Sequence, residues 1–405
     1  MIDFLEAYKS YFAIFSIPFI SAFVGWLTNR LAIKMTFYPL EFKGIRPIGW
    51  QGIIPSKAKK MAETAVDLWT SKLINMEVEF DRIEPARVAQ EMKPSITELA
   101  EQITNEVMIA KMPKTWKRTP NAAKTSLYES IAEELPVIVE NMMKEVKLRF
   151  NEFLDLKYLS VSSLTQNKSL LNRMFLKCGE QEFKFIEKSG FYFGFLFGLV
   201  QMTIWYFYSA WWMLPVAGVL VGYMTNWLAL KLIFRPLQPI KIGPVTFQGL
   251  FIKRQKEVSE EYSQIVASKI ITVENLFEYI VRGPGSEKLM QMTSLQIGRA
   301  IEKAAGNFSP VIKIISGQHS LDHMRNIAVY RFMQELPMNI RTIFGYAENA
   351  LDLEKVLQKK MKGLTPIEFE QFLRPVFKED EQTLILVGAV LGGIAGILQY
   401  LLLFA

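Results

Sequence analysis

The chain has 405 residues, of which 50% are hydrophobic, 13% aromatic and only 21% charged, with a mean hydropathy of +0.15. This excludes a disordered polar chain and argues against an ordinary water-soluble domain. A single cysteine, Cys178, excludes a disulfide framework and a cysteine-rich zinc site, and the 47 Lys+Arg against 40 Asp+Glu give a net charge of +7 that suits an anionic membrane surface as well as a nucleic acid.

The first eight residues carry Asp3 and Glu6 without a basic stretch, which speaks against a cleaved leader, so residues 1–10 read as an external N-terminus. Ser10 to Asn29 is free of charge and predicts a first span over 11–36. Pro39 to Pro55, rich in Pro and Gly, reads as a structured loop at the membrane surface and opens a long polar segment, 37–188. Within it Val139, Met142, Val146, Phe150 and Phe153 recur at helical spacing with charges between them, and Lys111 to Asn121 reads as a break between helices. Ser189 to Leu230 is again uncharged, and 42 residues of helix reach roughly 63 Å against a bilayer core of about 30 Å. Two spans follow, 189–208 and 211–234, turning near Tyr208–Ala210 where Trp205, Tyr206, Trp211 and Trp212 favour the headgroup level. A second polar segment, 235–381, precedes a last uncharged run at 382–405.

Basic residues near span ends stay on the cytoplasmic side. Only Lys9 falls beyond the predicted spans, whereas Arg30, Lys34, Lys184, Lys188, Lys231, Arg235, Arg374 and Lys378 border the two long segments. Both segments are therefore expected in the cytoplasm and both termini outside.

Residues 24–83 align with 221–280 at a constant offset of 197 without a gap, with 22 of 60 positions identical. Resemblance resumes at Glu134–Pro136 against Glu335–Pro337, and in the closing spans Gly194 and Gly198 fall on Gly388 and Gly392. The expected fold class is all-α: an integral membrane protein with four transmembrane helices and two predominantly helical cytoplasmic segments, built as a tandem parallel repeat with a pseudo-two-fold axis along the membrane normal.

Ser21, Gly25, Asn29 and Ala32 share one helical face, as do Gly218, Gly222, Asn226 and Ala229. Small residues let helices approach and an Asn bonds across the contact, so Gly25, Asn29, Gly222 and Asn226 are candidates for helix packing or, more sharply, a polar gate. Lys34, Lys57, Lys59 and Lys60 in one half and Lys231, Lys253, Arg254 and Lys256 in the other form two basic collars suited to anionic lipid headgroups, against the plainer reading that they only set topology. His319 and His323 lie four apart on one face, but no third ligand stands at clear spacing and no metal is expected. Gly283–Ser286 lacks the spacing and context of a phosphate loop, and no catalytic motif or cofactor signature appears.

The strings TNRLAIKMTFYPLEFKG…PIGWQGIIPSK and TNWLALKLIFRPLQPIKIG…FQGLFIKR resemble the bacterial membrane-protein family called domain of unknown function 445. Asn29, Lys34, Pro39, Gly52 and Pro55 carry the pattern, as do Asn226, Lys231, Pro236 and Gly249, with Ile252 in place of the second proline and Arg235 where the first half has Tyr38. The resemblance implies a protein of the bacterial cytoplasmic (inner) membrane and supplies no activity. The first expectation is a non-enzymatic organiser presenting helical segments to a protein partner, possible as a homo-oligomer. The second is a lipid-handling or transport protein that uses an apolar groove and the basic collars. Anionic membrane lipids are the expected partners and nucleic acid is not.

Overall fold

The structure, a computed structural model, describes residues 2–45, 48–305 and 318–404. It divides into two compact units: the first gathers Met1–Leu73, Val161–Ile265 and Leu357–Ala405, the second Ile74–Ser160 and Val266–Val356. The longer helices are α1 (Ile2–Phe37), α2 (Pro85–Lys111), α3 (Asn121–Leu148), α4 (Lys168–Cys178), α5 (Glu180–Phe207), α6 (Met213–Phe234), α7 (Ser286–Ala305), α8 (Gln318–Asn339) and α9 (Pro366–Leu403). Two short antiparallel hairpins, β1 (Lys43–Ile45) with β2 (Ile48–Trp50) and β3 (Ile240–Ile242) with β4 (Val245–Phe247), interrupt the helical pattern.

In the first unit α1 packs along α5 and α6 along α9, with α5 against α6 and α1 against α9 closing a four-helix bundle. Stretches of all four are long and apolar enough to cross a bilayer: Phe12–Phe37, Glu180–Phe207, Met213–Phe234 and Glu381–Leu403. Their outward residues are apolar at helical spacing, as in Phe12, Phe15, Phe19 and Phe23 on α1 and Leu386, Val390, Ile394 and Ile397 on α9. Rows of this size are what lipid covers. Between α5 and α6 the chain turns over five residues, with Tyr208, Trp211 and Trp212 exposed.

Glycine lets the paired helices touch backbone to backbone. A Cβ on Gly25 would overlap the Gly190 carbonyl, and one on Gly222 the Gly388 carbonyl. Gly194 meets Ser21 and Gly392 meets Gly218. The matching positions of the closing helices are thus Gly190 with Gly388, Gly194 with Gly392 and Gly198 with Gly396, one helical turn away from the register read in the sequence. A glycine ladder repeating every four residues looks the same after a four-residue slip, so only the facing helix fixes it. In this register Asn167, which caps α4, corresponds to Thr365, which caps α9 with a full capping box. Gly179 ends α4 and separates it from α5, whereas α9 runs unbroken through the same stretch.

The Pro/Gly-rich loops are not irregular. Lys43 pairs with Trp50 and Ile45 with Ile48; Ile240 pairs with Phe247 and Ile242 with Val245. The Gly52 amide donates to the Pro39 carbonyl at 2.9 Å and the Gly249 amide to that of Pro236 at 2.8 Å. Gln51 donates to the Leu40 carbonyl and Gln248 to that of Leu237. Each hairpin is thereby strapped to the end of its span. The peptide bonds preceding Pro39 and Pro236 are both cis.

The second unit is another bundle, in which α2 packs on α3, α3 on α7, α7 on α8 and α8 on α2. Each long polar segment contributes its middle to this one body, rather than standing as a separate folded segment. The break expected between Lys111 and Asn121 holds a short helix, Pro113–Arg118, whose buried Trp116 donates to the Asn105 side chain.

Candidate functional site

Asn29 and Asn226 end the glycine ladders of α1 and α6. Both are buried, and each amide donates to a backbone carbonyl of the neighbouring helix: Asn29 to Ile186 at 2.7 Å, Asn226 to Leu384 at 2.8 Å. Both line one small cavity of about 40 Å³ together with Thr36, Glu182, Phe183 and Leu230. The Asn29 Oδ1 is buried there without a protein partner. A void of this size has room for water and little else. The two amides therefore act as interhelical anchors in this structure, and Gly25 and Gly222 as the close-approach points beside them.

Lys34, Lys59, Lys60, Lys231, Lys253 and Lys256 are exposed, and Lys57 is half-buried. The Lys231 ammonium lies 4.7 Å from the Trp227 ring centroid, and Lys59 faces Glu63 at 4.0 Å. Arg254 differs from the rest of the basic set. Its guanidinium donates to both carboxylate oxygens of buried Glu182, at 2.8 and 2.9 Å, so it is held inside the fold instead of offered to a headgroup. Nothing in the spacing of basic residues separates it from Lys253, because its partner is a carboxylate 72 positions away. Arg46 lies outside the described residues, as does the side chain of His319; His323 is exposed.

Periodicity gave the amphipathic helices but not the space they enclose. In the second unit α2, α3, α7 and α8 surround a cavity of about 180 Å³ whose lining, from Ala100 and Ile103 through Leu135 and Ile138 to Ala300 and Phe332, is apolar at every position but Thr104. Cys178, on α4, is buried, and that burial raises its thiol pKa well above the ordinary range, so it is an inert packing residue.

Four long apolar helices with lipid-suited outer faces define a membrane protein. A 65-residue stretch is 42% identical to a UPF0754 membrane protein of Anoxybacillus flavithermus, covering 15% of this chain and 17% of that one. A second of Shouchella clausii is 41% identical over 68 residues, or 16% and 18% of the two chains. One of a Picosynechococcus strain is 28% identical over 116 residues, or 26% and 28%. The chain spans less than a fifth of the length of the first two of these relatives. No family model and no solved structure matches it. With its relatives, it is a bacterial membrane protein.

Proposed function

We propose that this chain is a lipid-handling protein of the bacterial inner membrane, a member of the family of domain of unknown function 445. It crosses the bilayer four times with both long polar segments in the cytoplasm, as the placement of its basic residues implies. The observation that carries the lipid reading is the apolar cavity among α2, α3, α7 and α8. The space is partly open, so without a guest its apolar lining stays exposed, and covering that lining with apolar atoms is favourable. An apolar cavity of about 150 Å³ already takes a benzene-sized guest. An acyl chain supplies the apolar atoms this one lacks. A role confined to presenting helices to a protein partner would use the outward apolar side chains of this unit, such as Ile109, Val137 and Leu295, and gives the cavity no use.

The test is lipid mass spectrometry on the full-length protein after extensive detergent washing. Wild type is expected to retain phospholipid in stoichiometric amount, and Ala300→Phe, which fills the cavity, to lose it while remaining folded. A folded wild type carrying no lipid, or equal retention by the filled variant, rules out the cavity as the site and returns the organiser role to first place.

A further inference from the structure

We propose a second, separate site: a phosphate-binding recess at the end of α6, built by Lys231, Arg235 and Arg374, that takes the headgroup phosphate of an anionic lipid. The recess has a volume of about 240 Å³ and is lined by these three cations with Trp227, Phe234 and Glu381. Glu370, almost completely buried on α9, organises it. One of its oxygens accepts from the Arg374 guanidinium at 2.8 Å and faces that of Arg235 at 3.4 Å. A single carboxylate thus orients two guanidiniums and offsets one of their charges, leaving donors on both free for planar, paired recognition of a phosphate. Lys231 stands over the Trp227 ring, which positions its ammonium without neutralising it. Among the described residues, the three cations stand beside two carboxylates, Glu370 and Glu381.

The other half of the chain lacks this set. By the register that the glycine contacts and helix caps fix, Tyr38 stands for Arg235, Asn172 for Glu370 and Leu176 for Arg374. Asn172 there donates to the Phe37 carbonyl, and in the adjoining groove Lys184 is paired with Glu180 at 2.5 Å. Lys34 alone is kept. The groove of the other half carries its cations at other positions, Arg173, Lys177 and Lys184 beside Glu180 and Glu187, so two helix ends that pack alike show that packing does not require the arginine pair. The place suits a lipid as its source: the recess adjoins α6 where outward-facing Val216, Val219, Leu220 and Tyr223 give way to Trp227 and Lys231, the sequence of a lipid-facing helix reaching the headgroup layer.

The proposal rests on the chain being a membrane protein and not on the cavity of the second unit. It is tested by native mass spectrometry of the full chain released from nanodiscs of phosphatidylcholine with a minor fraction of phosphatidylglycerol. Wild type is expected to keep phosphatidylglycerol selectively. Lys231→Gln, and Arg235→Tyr, which installs the residue of the other half and leaves Arg374 to satisfy Glu370, are expected to keep it about tenfold less, the loss of one charge-assisted contact. Lys114→Gln is the charge-matched control, and melting temperatures confirm that each variant is folded. Ala300→Phe should leave this retention intact, which separates the two sites. Equal retention by wild type and both variants, or no preference over phosphatidylcholine, overturns the proposal. If inorganic phosphate in detergent stabilises wild type but not the variants while lipid retention is unchanged, the recess serves a soluble phosphate and the lipid assignment falls.

Discussion

Glu182 and Arg254 show how much a single pair of charges can commit. The carboxylate is 1% exposed and the guanidinium 12%, and losing the carboxylate leaves Arg254 with the exposed Glu257, at 3.4 Å, in place of a buried paired partner. Glu182→Gln is therefore expected to destabilise the protein by about 1–3 kcal/mol. Glu182→Leu combined with Arg254→Met should recover most of that loss, and denaturant titration of the two purified variants reads both. A combined variant as unstable as the single one would mean the pair itself stabilises. Polar side chains within the spans obey the same accounting. Ser21 donates to Gln201 at 2.9 Å between α1 and α5, whereas the amide nitrogen of Gln399 on α9 is buried without a partner. Asn29 and Asn226 stood out in the sequence, as packing residues or a polar gate, because an amide amid small residues on an apolar helix has few uses. Glu182 did not, since a carboxylate beside a span reads equally well as a solvated flank.

At the scale of elements, caps and ties between helices set the local stability. In the second unit Glu152, on the short helix Phe150–Phe153, receives Arg149 at 2.6 Å and Lys288 of α7 at 2.7 Å. These partners, the Arg149 hydrogen bond foremost, lower the carboxyl pKa to about 2, below the ordinary value of about 4.3. A carboxylate with a depressed folded pKa contributes stability that is complete above its unfolded pKa and is lost as the pH falls toward the folded one. Stability is accordingly expected to drop between about pH 4 and pH 2, and Glu152→Gln to flatten that part of the curve. Thermal unfolding across this range checks it, and parallel curves for the two proteins would exclude the tie as a contributor. The helices themselves were legible from their periodicity, and the break at Lys111–Asn121 from its prolines. The hairpins were not, because three-residue strands are too short for alternation to register.

At the scale of the molecule, the second unit is assembled from two pieces of chain, Ile74–Ser160 and Val266–Val356. Neither piece closes the bundle alone: α2 and α3 come from the first, α7 and α8 from the second, and the cavity needs all four. Residues 74–160 expressed alone are expected to lack cooperative unfolding, and co-expression with 266–356 to restore it, as followed by circular dichroism and thermal melting. Cooperative melting of the first piece by itself would show that each long segment folds independently.

The sequence by itself determined the membrane character, the four apolar helices, the helical nature of the polar segments and the small-residue faces on which the spans pack. Each of these follows from local composition or from a period of 3.6 residues, which needs no knowledge of the partner. Tertiary structure alone decided the glycine register, the enclosure of Arg254 by Glu182, the joining of two segments into one bundle and the gathering of Lys231, Arg235 and Arg374 around Glu370. These depend on which distant residue faces which, and a helical repeat leaves such pairing degenerate: a slip of one turn preserves the pattern while exchanging every contact.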